Sequence, residues 1–404
     1  MKNTVKNLIN QVKKALDNKA VIPATAYAYA DKNGALIARS MKNNADITIF
    51  IAGIVEDVTK REKLYNKDAL TLAADTGIFN GGRELAEILR EWFTIPAEDF
   101  TPAGTIPADD LKAAAISASA DNTRPVLTVV HIAPDGYIEG CDGFRAYRKK
   151  GAALDPNALK TPFEQSNGLN ISAAVAAFGF KGNIEISNGD KFIRITDGNL
   201  IIYARKIEGH YINLDTVLEK SARRRANEIT AKVIDRKGFN AVLKTAAAAK
   251  GDYNRADIVI KTRKGFIDYY IRALNIYGSI EAETEATPEG FNITLNARYL
   301  HDAITKQDGY ILEIETDTTA APVHIVGDNG VKAIVLPIRD DRGYYFTEYD
   351  ASQEAPAKPE KVEEPAADPE KEAAAIRALN EKQNRENNFV NIDAEAVRNQ
   401  IKQA

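Results

Sequence analysis

Hydrophobic and polar residues follow a helical pattern at the start of the chain. Val5, Leu8, Ile9, Val12 and Leu16 recur at intervals that place them on one face of a helix. The lysines of the same stretch fall on the other faces. The pattern therefore predicts an amphipathic helix with one side packed on a core and the other side in solvent.

Further helices are predicted at similar apolar spacing among short β-prone runs. Two predicted helices in each unit are separated by about 60 to 77 residues, and turn signals such as Asn188-Gly189 lie between the strands. The pattern predicts three similar α+β units in tandem. The further helices are Leu85–Trp92, Leu111–Ala120, Ile171–Phe178, Phe239–Leu243 and Tyr299–Ile304.

Residues 124–147 read RPVLTVVHIAPDGYIEGCDGFRAY and contain two strand signals. The apolar runs Val126–Ile132 and Tyr137–Gly140 are joined by Asp135-Gly136, a typical hairpin turn. A second Asp-Gly pair, Asp142-Gly143, follows the second run. Taken alone, the segment predicts antiparallel sheet.

The negative charge of the chain is concentrated in its last residues. The net charge is −4, and residues 350–404 hold 12 acidic and 8 basic side chains, which leaves 45 of each sign in residues 1–349. A protein that grips nucleic acid tightly usually has a basic excess, so tight or sequence-specific binding is not expected. The stretch EAPAKPEKVEEPAADPEKEAAA has almost no large apolar residue and predicts a disordered acidic tail over 350–404.

The sequence has no motif for catalysis, phosphate binding or metal binding. Its four histidines are scattered without metal-ligand spacing, and nothing brings together a nucleophile, a base and an oxyanion donor. We therefore predict that the protein is not an enzyme, with no catalytic residue, no metal and no cofactor. A single cysteine and the lack of a long apolar run are typical of a cytoplasmic protein without a membrane segment.

Four motifs occur along the chain in an informative order. The segment 124–147 is followed by ARKIEGHY (204–211), NARYLHDAI (296–304) and AIVLPIR (333–339). The order resembles the bacterial-type sliding clamp, the β subunit of the replicative polymerase. That family has a T-D-G-H-R-L-A corner, an S-R-L-I-E-G stretch, an F-N-x-x-Y-L-x-D-A-L helix and a V-x-M-P-M-R strand in the same order. The resemblance is good over roughly residues 105–339.

The resemblance implies an α+β fold of tandem DNA-clamp domains, each with two helices on antiparallel sheet, assembling into a ring. We expect a first domain at 1–104, a second at 105–219, a third at 220–349 and the tail at 350–404. The first domain is shortened, because Trp92 runs almost directly into Phe93-Thr94 where family strands are expected.

The resemblance also implies a cleft between the second and third domains, where polymerases and repair proteins dock a short peptide. Three departures from the family change this cleft: Phe144 stands for a histidine, Ala146 for a leucine and Glu219 for a proline. We therefore expect a changed peptide preference. The positions that match the family's cleft are Leu127, Cys141, Gly143, Phe144, Arg145, Ala146, Tyr299, Leu336, Pro337, Ile338 and Arg339.

A second site is implied at the inner surface of the ring, where lysines and arginines hold duplex DNA by salt-screened attraction to phosphates without reading its sequence. The helix predicted at Ile171–Phe178 has no charge, so the basic lining is expected to be uneven. The candidates are Lys6, Lys13, Lys14, Lys19, Arg83, Arg90, Arg124, Arg148, Lys149, Arg223, Arg224, Arg225, Lys237 and Lys244.

The sequence thus predicts a sliding clamp, a processivity factor that encircles duplex DNA and tethers a replicative polymerase. The expected partners are duplex DNA, a DNA polymerase and other clamp-binding peptides, a clamp loader, and a second copy in a head-to-tail dimer. The drift from the family pattern suggests a phage version in a host cytoplasm, or a nucleoid-associated cytoplasmic protein. Two alternatives stay open: a clamp-fold DNA-tracking factor for transcription or recombination, and a clamp-derived interaction protein that does not encircle DNA.

Overall fold

A computed structural model describes most of the first 350 residues. The described residues are 2–17, 22–42, 45–155, 158, 168–217, 227–249, 255–305, 307–339, 343–347 and 349–350. The predicted tail at 351–404, Lys19, Glu219 and Arg223–Arg225 lie outside them. No helix within the described ranges is long and apolar enough to cross a membrane.

Five α-helices lie wholly within these ranges, and three of them begin at a side-chain cap. Asn66 accepts a hydrogen bond from the N–H of Ala69 at the start of the second helix, and Gly77 ends that helix at φ 77°. Asn296 caps the last helix in the same way. The helices are α1 Lys2–Ala15, α2 Lys67–Thr76, α3 Ala108–Ser117, α4 Arg236–Ala248 and α5 Ala297–Ile304.

The described strands form two antiparallel sheets of ten and twelve strands. The strands are β1 Tyr27–Ala30, β2 Leu36–Ser40, β3 Ile47–Ile51, β4 Lys63–Asn66, β5 Arg83–Glu84, β6 Thr101–Pro107, β7 Val129–Ile132, β8 Tyr137–Cys141, β9 Arg145–Lys150, β10 Ala153–Leu154, β11 Leu169–Ser172, β12 Asn183–Asn188, β13 Phe192–Thr196, β14 Ile201–Arg205, β15 Glu228–Val233, β16 Asp257–Arg263, β17 Phe266–Ile271, β18 Ile276–Thr284, β19 Ile293–Asn296, β20 Tyr310–Glu315, β21 Val323–Gly327 and β22 Val331–Val335.

The elements follow a repeating order of strand, helix and three strands, which we call a module. Module one is α1-β1-β2-β3, without a leading strand, and module two is β4-α2-β5. Modules three to six are β6-α3-β7-β8-β9, β11 to β14 with a 3-10 turn in place of the helix, β15-α4-β16-β17-β18 and β19-α5-β20-β21-β22. The first strand of each of these modules pairs with the sheet of its neighbour: β6 with β12, β11 with β7, β15 with β20 and β19 with β16. This exchange couples the modules in pairs, in agreement with the predicted α+β units.

Two further pairings join the module pairs into continuous sheets. The last strand of module four, β14, pairs with β3, the last strand of module one. The last strand of module three, β9, pairs with β22, the last strand of module six. The unit Met1–Phe346 is compact as a whole, and the division into domains at residues 104 and 219 stays a prediction.

Module two is the shortened part of the chain. It has β4 and α2, but only the two-residue strand β5 before β6 begins. The shortening of the first domain relative to the family stays a prediction, and the helix predicted at Leu85–Trp92 is wrong. That segment contains two 3-10 turns, Glu87–Leu89 and Glu91–Phe93, and the helix of this module is α2.

The segment 85–95 replaces the missing strands as a cover over the sheet. Tyr29, Ile37 and Leu64 on one face of the sheet pack against Phe93. Leu85, Leu89, Trp92 and Ile95 pack around this cluster from the same segment. The apolar spacing that predicted a helix thus belongs to a strap, the segment 85–95, lying on the sheet.

A second helix prediction is also wrong. Ile171–Phe178 begins in strand β11, and only Ala173–Ala177 is helical, as a 3-10 turn. The other predicted helices are present, with α3 ending at Ser117 rather than at Ala120. The predicted strand Val126–Ile132 begins as a 3-10 turn, Pro125–Leu127, and becomes β7 at Val129.

The helices lie side by side on one face of the sheets. Lys6 of α1 pairs with Asp75 of α2 at 2.8 Å, and Lys14 of α1 donates to the carbonyl of Ala177 at 3.0 Å. Lys112 of α3 donates to the carbonyl of Phe180 just after the 3-10 turn. Helix α3 packs against α5, and α5 against α4. The row therefore runs α2, α1, 3-10 turn, α3, α5, α4.

Candidate functional site

The predicted cleft residues meet where β9 pairs with β22. Leu336 donates its backbone N–H to the carbonyl of Phe144 at 2.8 Å, just beyond that pairing. Ile338 donates to the carbonyl of Thr294 at 2.8 Å, which brings the segment beside the start of α5. The eleven candidates thus come from segments more than 150 residues apart in sequence and meet at one junction.

The Asp142-Gly143 corner determines how Phe144 is presented. The Asp142 carboxylate accepts hydrogen bonds from the N–H groups of Phe144 and Arg145, both at 2.9 Å. Gly143 has φ 90°, a backbone conformation that residues other than glycine rarely adopt. The corner turns the Phe144 ring outward, where it is 57% exposed. An exposed aromatic ring of this size is a candidate contact for a partner.

Arg145 is engaged in several structural contacts. Its guanidinium bonds the Asp142 carboxylate at 3.0 Å and Asp302 of α5 at 2.6 Å. It also donates to the carbonyl of Ile116 at the end of α3, and it stacks on the Tyr299 ring at 4.3 Å. Because its donors are used in this way, Arg145 holds the Asp142 corner, the end of α3 and helix α5 together rather than offering a spare charge.

Several predicted cleft residues are buried. Leu127, Cys141 and Ala146 pack in a small core together with Tyr211 and Leu214. The sequence motifs did not single out these last two as cleft residues, although Tyr211 ends the ARKIEGHY motif that carried the resemblance. The accessible apolar surface is therefore made by Phe144 and the half-buried segment Leu336–Ile338.

A buried ion cluster lies close to these buried residues and changes one DNA-binding prediction. Glu139 and Arg148 are cross-strand neighbours, and Arg148 Nε lies 3.0 Å from Glu139 Oε1. Arg148 also pairs with Asp215 and stacks on Tyr137 at 3.7 Å. Only 6% of its side chain is exposed. Arg148 is thus not available to DNA phosphates, which corrects its place in the DNA-binding set.

Burial raises the pKa of Glu139 to about 7, against the opposing effect of Arg148. The folded protein therefore binds the proton of this carboxyl more tightly than the unfolded chain, whose pKa is near 4.5. Between these two pKa values, the free energy of unfolding falls as pH rises, by up to about 1.4 kcal/mol per pH unit.

We expect the variant Glu139→Gln to gain stability relative to the parent as pH rises from 5 to 8. The glutamine stays neutral, so it lacks the cost of ionising a buried carboxyl. The measurement is the difference in melting temperature between variant and parent at each pH. His131 titrates in both proteins, so its contribution cancels in the difference. A difference independent of pH would contradict the raised pKa.

The helix row carries five of the predicted DNA-binding lysines. Lys6, Lys13 and Lys14 lie on α1, and Lys237 and Lys244 lie on α4. All except the half-buried Lys13 are exposed. The 3-10 turn at Ala173–Ala177 has no charged residue, and the five candidate lysines lie on two of the helices; an unevenly charged lining for DNA stays a prediction.

The remaining described candidates lie elsewhere. Arg83 is on β5 beside Tyr27, and Arg90 is in the strap over the sheet face opposite α1, where it pairs with Glu62. Lys149 is held by Asp110 of α3 at 2.7 Å. Arg124 lies at the cleft, with its guanidinium beside Gly143. The structure therefore does not group these four with the helix lysines.

Comparisons with known proteins identify the fold. No family model matches the chain, and no curated protein sequence matches it significantly. The crystal structure of the Caulobacter crescentus β sliding clamp superposes with a TM-score of 0.63 at 16% identity, over 84% of this chain and 97% of that one. The DNA polymerase sliding clamp of Bacillus subtilis gives 0.62 at 16% identity, over 84% and 98%.

The chain has the fold of a bacterial sliding clamp. The DNA polymerase III β subunit of Thermotoga maritima agrees, with a TM-score of 0.63 at 13% identity over 83% of this chain and 97% of that one. The α+β fold predicted from four ordered motifs is confirmed, although sequence identity is this low.

Proposed function

We propose that this protein is a DNA sliding clamp that encircles duplex DNA and tethers a replicative polymerase, and that it is not an enzyme. The observation that supports this most is the clamp fold itself, extending over nearly the whole length of the solved clamps. The helix row on one face of continuous sheets, with lysines on α1 and α4, supports a surface for phosphates.

The proposed mechanism is topological. A closed ring around DNA resists dissociation while it slides, since the lysines contact phosphates and read no base edge. A polymerase docked in the cleft is then held at a high effective concentration near the primer end, so it rebinds quickly after each release.

Ring closure would use the two module ends left over within one chain. The last strands of modules one, three, four and six pair with one another, as β3–β14 and β9–β22. The last strand of module five is β18, which pairs with β17 over residues 276–281 and with β15 only over residues 282–284. Its outer edge over residues 276–281 has no strand partner among the described residues, and its counterpart in module two is shortened to β5. We propose that two copies associate head to tail through these ends, more weakly than a full module would allow.

A protein that closes into a ring is expected to stay on closed circular DNA and to slide off the same DNA once it is linearised. Light scattering across a concentration series should give a mass of two subunits at high concentration and should approach one subunit on dilution. Retention after loading, measured by gel filtration with the circle intact or cut, is the decisive readout.

The shortened module two favours a second candidate, a clamp-derived interaction protein that does not encircle DNA. In that case the chain would remain a single subunit at every concentration, and cutting the circle would not change retention. A ring that forms but stimulates no polymerase would instead favour a tracking factor for transcription or recombination.

A further inference from the structure

The acidic groups at the cleft are already engaged by arginines. Asp142 and Asp302 both bond Arg145. Asp121 lies 3.5 Å from Arg124 and also accepts hydrogen bonds from Thr123. A partner approaching the cleft therefore meets carboxylates whose charge is largely compensated by neighbours.

Two arginines also lie at this junction. Arg298 lies in the first turn of α5 beside Tyr299, and Arg339 follows Ile338, which bonds Thr294 just before that helix. Both side chains are exposed, and neither has an ion-pair partner among the residues that the structure describes. In the described part of the chain, the spare charge at this end of the cleft is therefore positive.

Exposed apolar groups lie at the same junction. Phe144 is 57% exposed and Ile116 is 41% exposed, and Arg145 connects the two segments through its bond to the Ile116 carbonyl. Leu336 is held beside Phe144 by its backbone bond. Apolar anchors and a few charges together are a typical recognition surface for a short linear peptide.

We infer that the docking segment of the partner is an acidic peptide, with bulky apolar side chains for Phe144, Ile116 and Leu336 and carboxylates for Arg298 and Arg339. The inference rests on the proposed function, since it names the chemistry of the partner at the same cleft. The described body is not basic in general, so attraction of an acidic peptide would come from these local arginines.

Two fluorescent synthetic peptides test the inference by polarisation. Both carry two leucines and one phenylalanine, flanked by aspartates in one and by lysines in the other. The acidic peptide should bind at least about tenfold more tightly than the basic peptide at low salt. The difference in affinity should decrease as salt rises, because exposed charges are screened. Equal affinity for the two peptides would overturn the inference.

The variant Arg298→Glu/Arg339→Glu should reverse the preference between the peptides. A glutamate in the first turn of a helix is favourable, so α5 should remain folded, and melting temperature checks this. The control Lys264→Glu changes an exposed lysine of the β16–β17 turn, roughly 20 Å away along β16, and should leave both affinities unchanged. If both variants weaken the acidic peptide equally, the attraction is a general charge effect and the inference fails.

Asp340 and Asp341 adjoin Arg339 in sequence and provide one more test. Asp340→Asn/Asp341→Asn should leave binding of the acidic peptide unchanged or strengthen it, and weaker binding would contradict the assignment. The proposed function fails separately. If the protein stays on circular DNA but binds neither peptide, only the inference about the peptide is overturned. If it binds the acidic peptide but is not retained on circular DNA, only the proposed sliding-clamp function is overturned.

Discussion

The variant Arg145→Leu is expected to lose about 3 kcal/mol of folding free energy, because it leaves two carboxylates without their cation. Asp142 and Asp302 both lose a bond to the guanidinium, and the Ile116 carbonyl and the Tyr299 ring lose a neighbour. Side-chain exposure is 11% for Arg145 and Asp142, so solvent replaces these contacts poorly. Melting temperature and denaturant midpoint measure the loss.

A matched control is Arg90→Leu, which removes an arginine with two carboxylate partners from an exposed site. Arg90 pairs with Glu62 and Glu87, and all three side chains are about half exposed or more. Such exposed surface pairs contribute little to the free energy of unfolding, so a small change is expected. Equal effects of the two variants would show that Arg145 does not hold the cleft together.

The sequence predicted the fold better than it predicted individual elements of module two. Leu85, Leu89 and Trp92 recur at helical spacing, but they pack as a flat strap on Tyr29 and its neighbours. Apolar spacing reports which residues are buried and does not specify the backbone that buries them. The true helix α2 was missed because its buried face is made of Leu70, Ala73 and Ala74, which give a weak apolar signal.

The predicted DNA-binding residues show a similar limit of prediction from sequence. Arg148 and Lys149 are consecutive residues of β9, so their side chains point to opposite faces of the sheet and cannot share one inner surface. Sequence alone could have excluded one of them. It could not show which one, because that depends on Asp110 and Asp215 reaching them from distant segments.

The sequence predicted where the cleft residues lie, but it did not predict what each of them does. The order of the motifs predicted eleven cleft residues, and the structure brings their segments together around the β9–β22 junction, while their role in binding a peptide stays a prediction. The assignment of Arg145 as a structural residue needed Asp302, 157 positions away, and the spare charge of Arg298 followed only once its neighbours were known. The sequence therefore could not predict which charged residues pair over long distances in the chain.

Reversing the charge of Lys13 and Lys14 to glutamate is expected to weaken association with linear duplex DNA about tenfold or more at low salt. Each lost phosphate contact should reduce the salt slope of the binding constant by about 0.9, so the double variant should flatten it by about 2. Lys237→Glu/Lys244→Glu on α4 should act in the same way. Preference among DNA sequences should not change, because no base edge is read.

The matched control for this last prediction is Arg83→Glu/Arg90→Glu, which makes the same change of charge within the first 100 residues. Arg90 lies on the sheet face opposite α1 and Arg83 on the edge strand β5, so DNA affinity should stay within about twofold of the parent, since only screened long-range attraction is affected. A control that weakens binding as much as the helix variants would mean that net charge, and not the helix row, attracts DNA. In that event α1 and α4 would be ordinary solvated helices, and the proposed inner surface would be wrong.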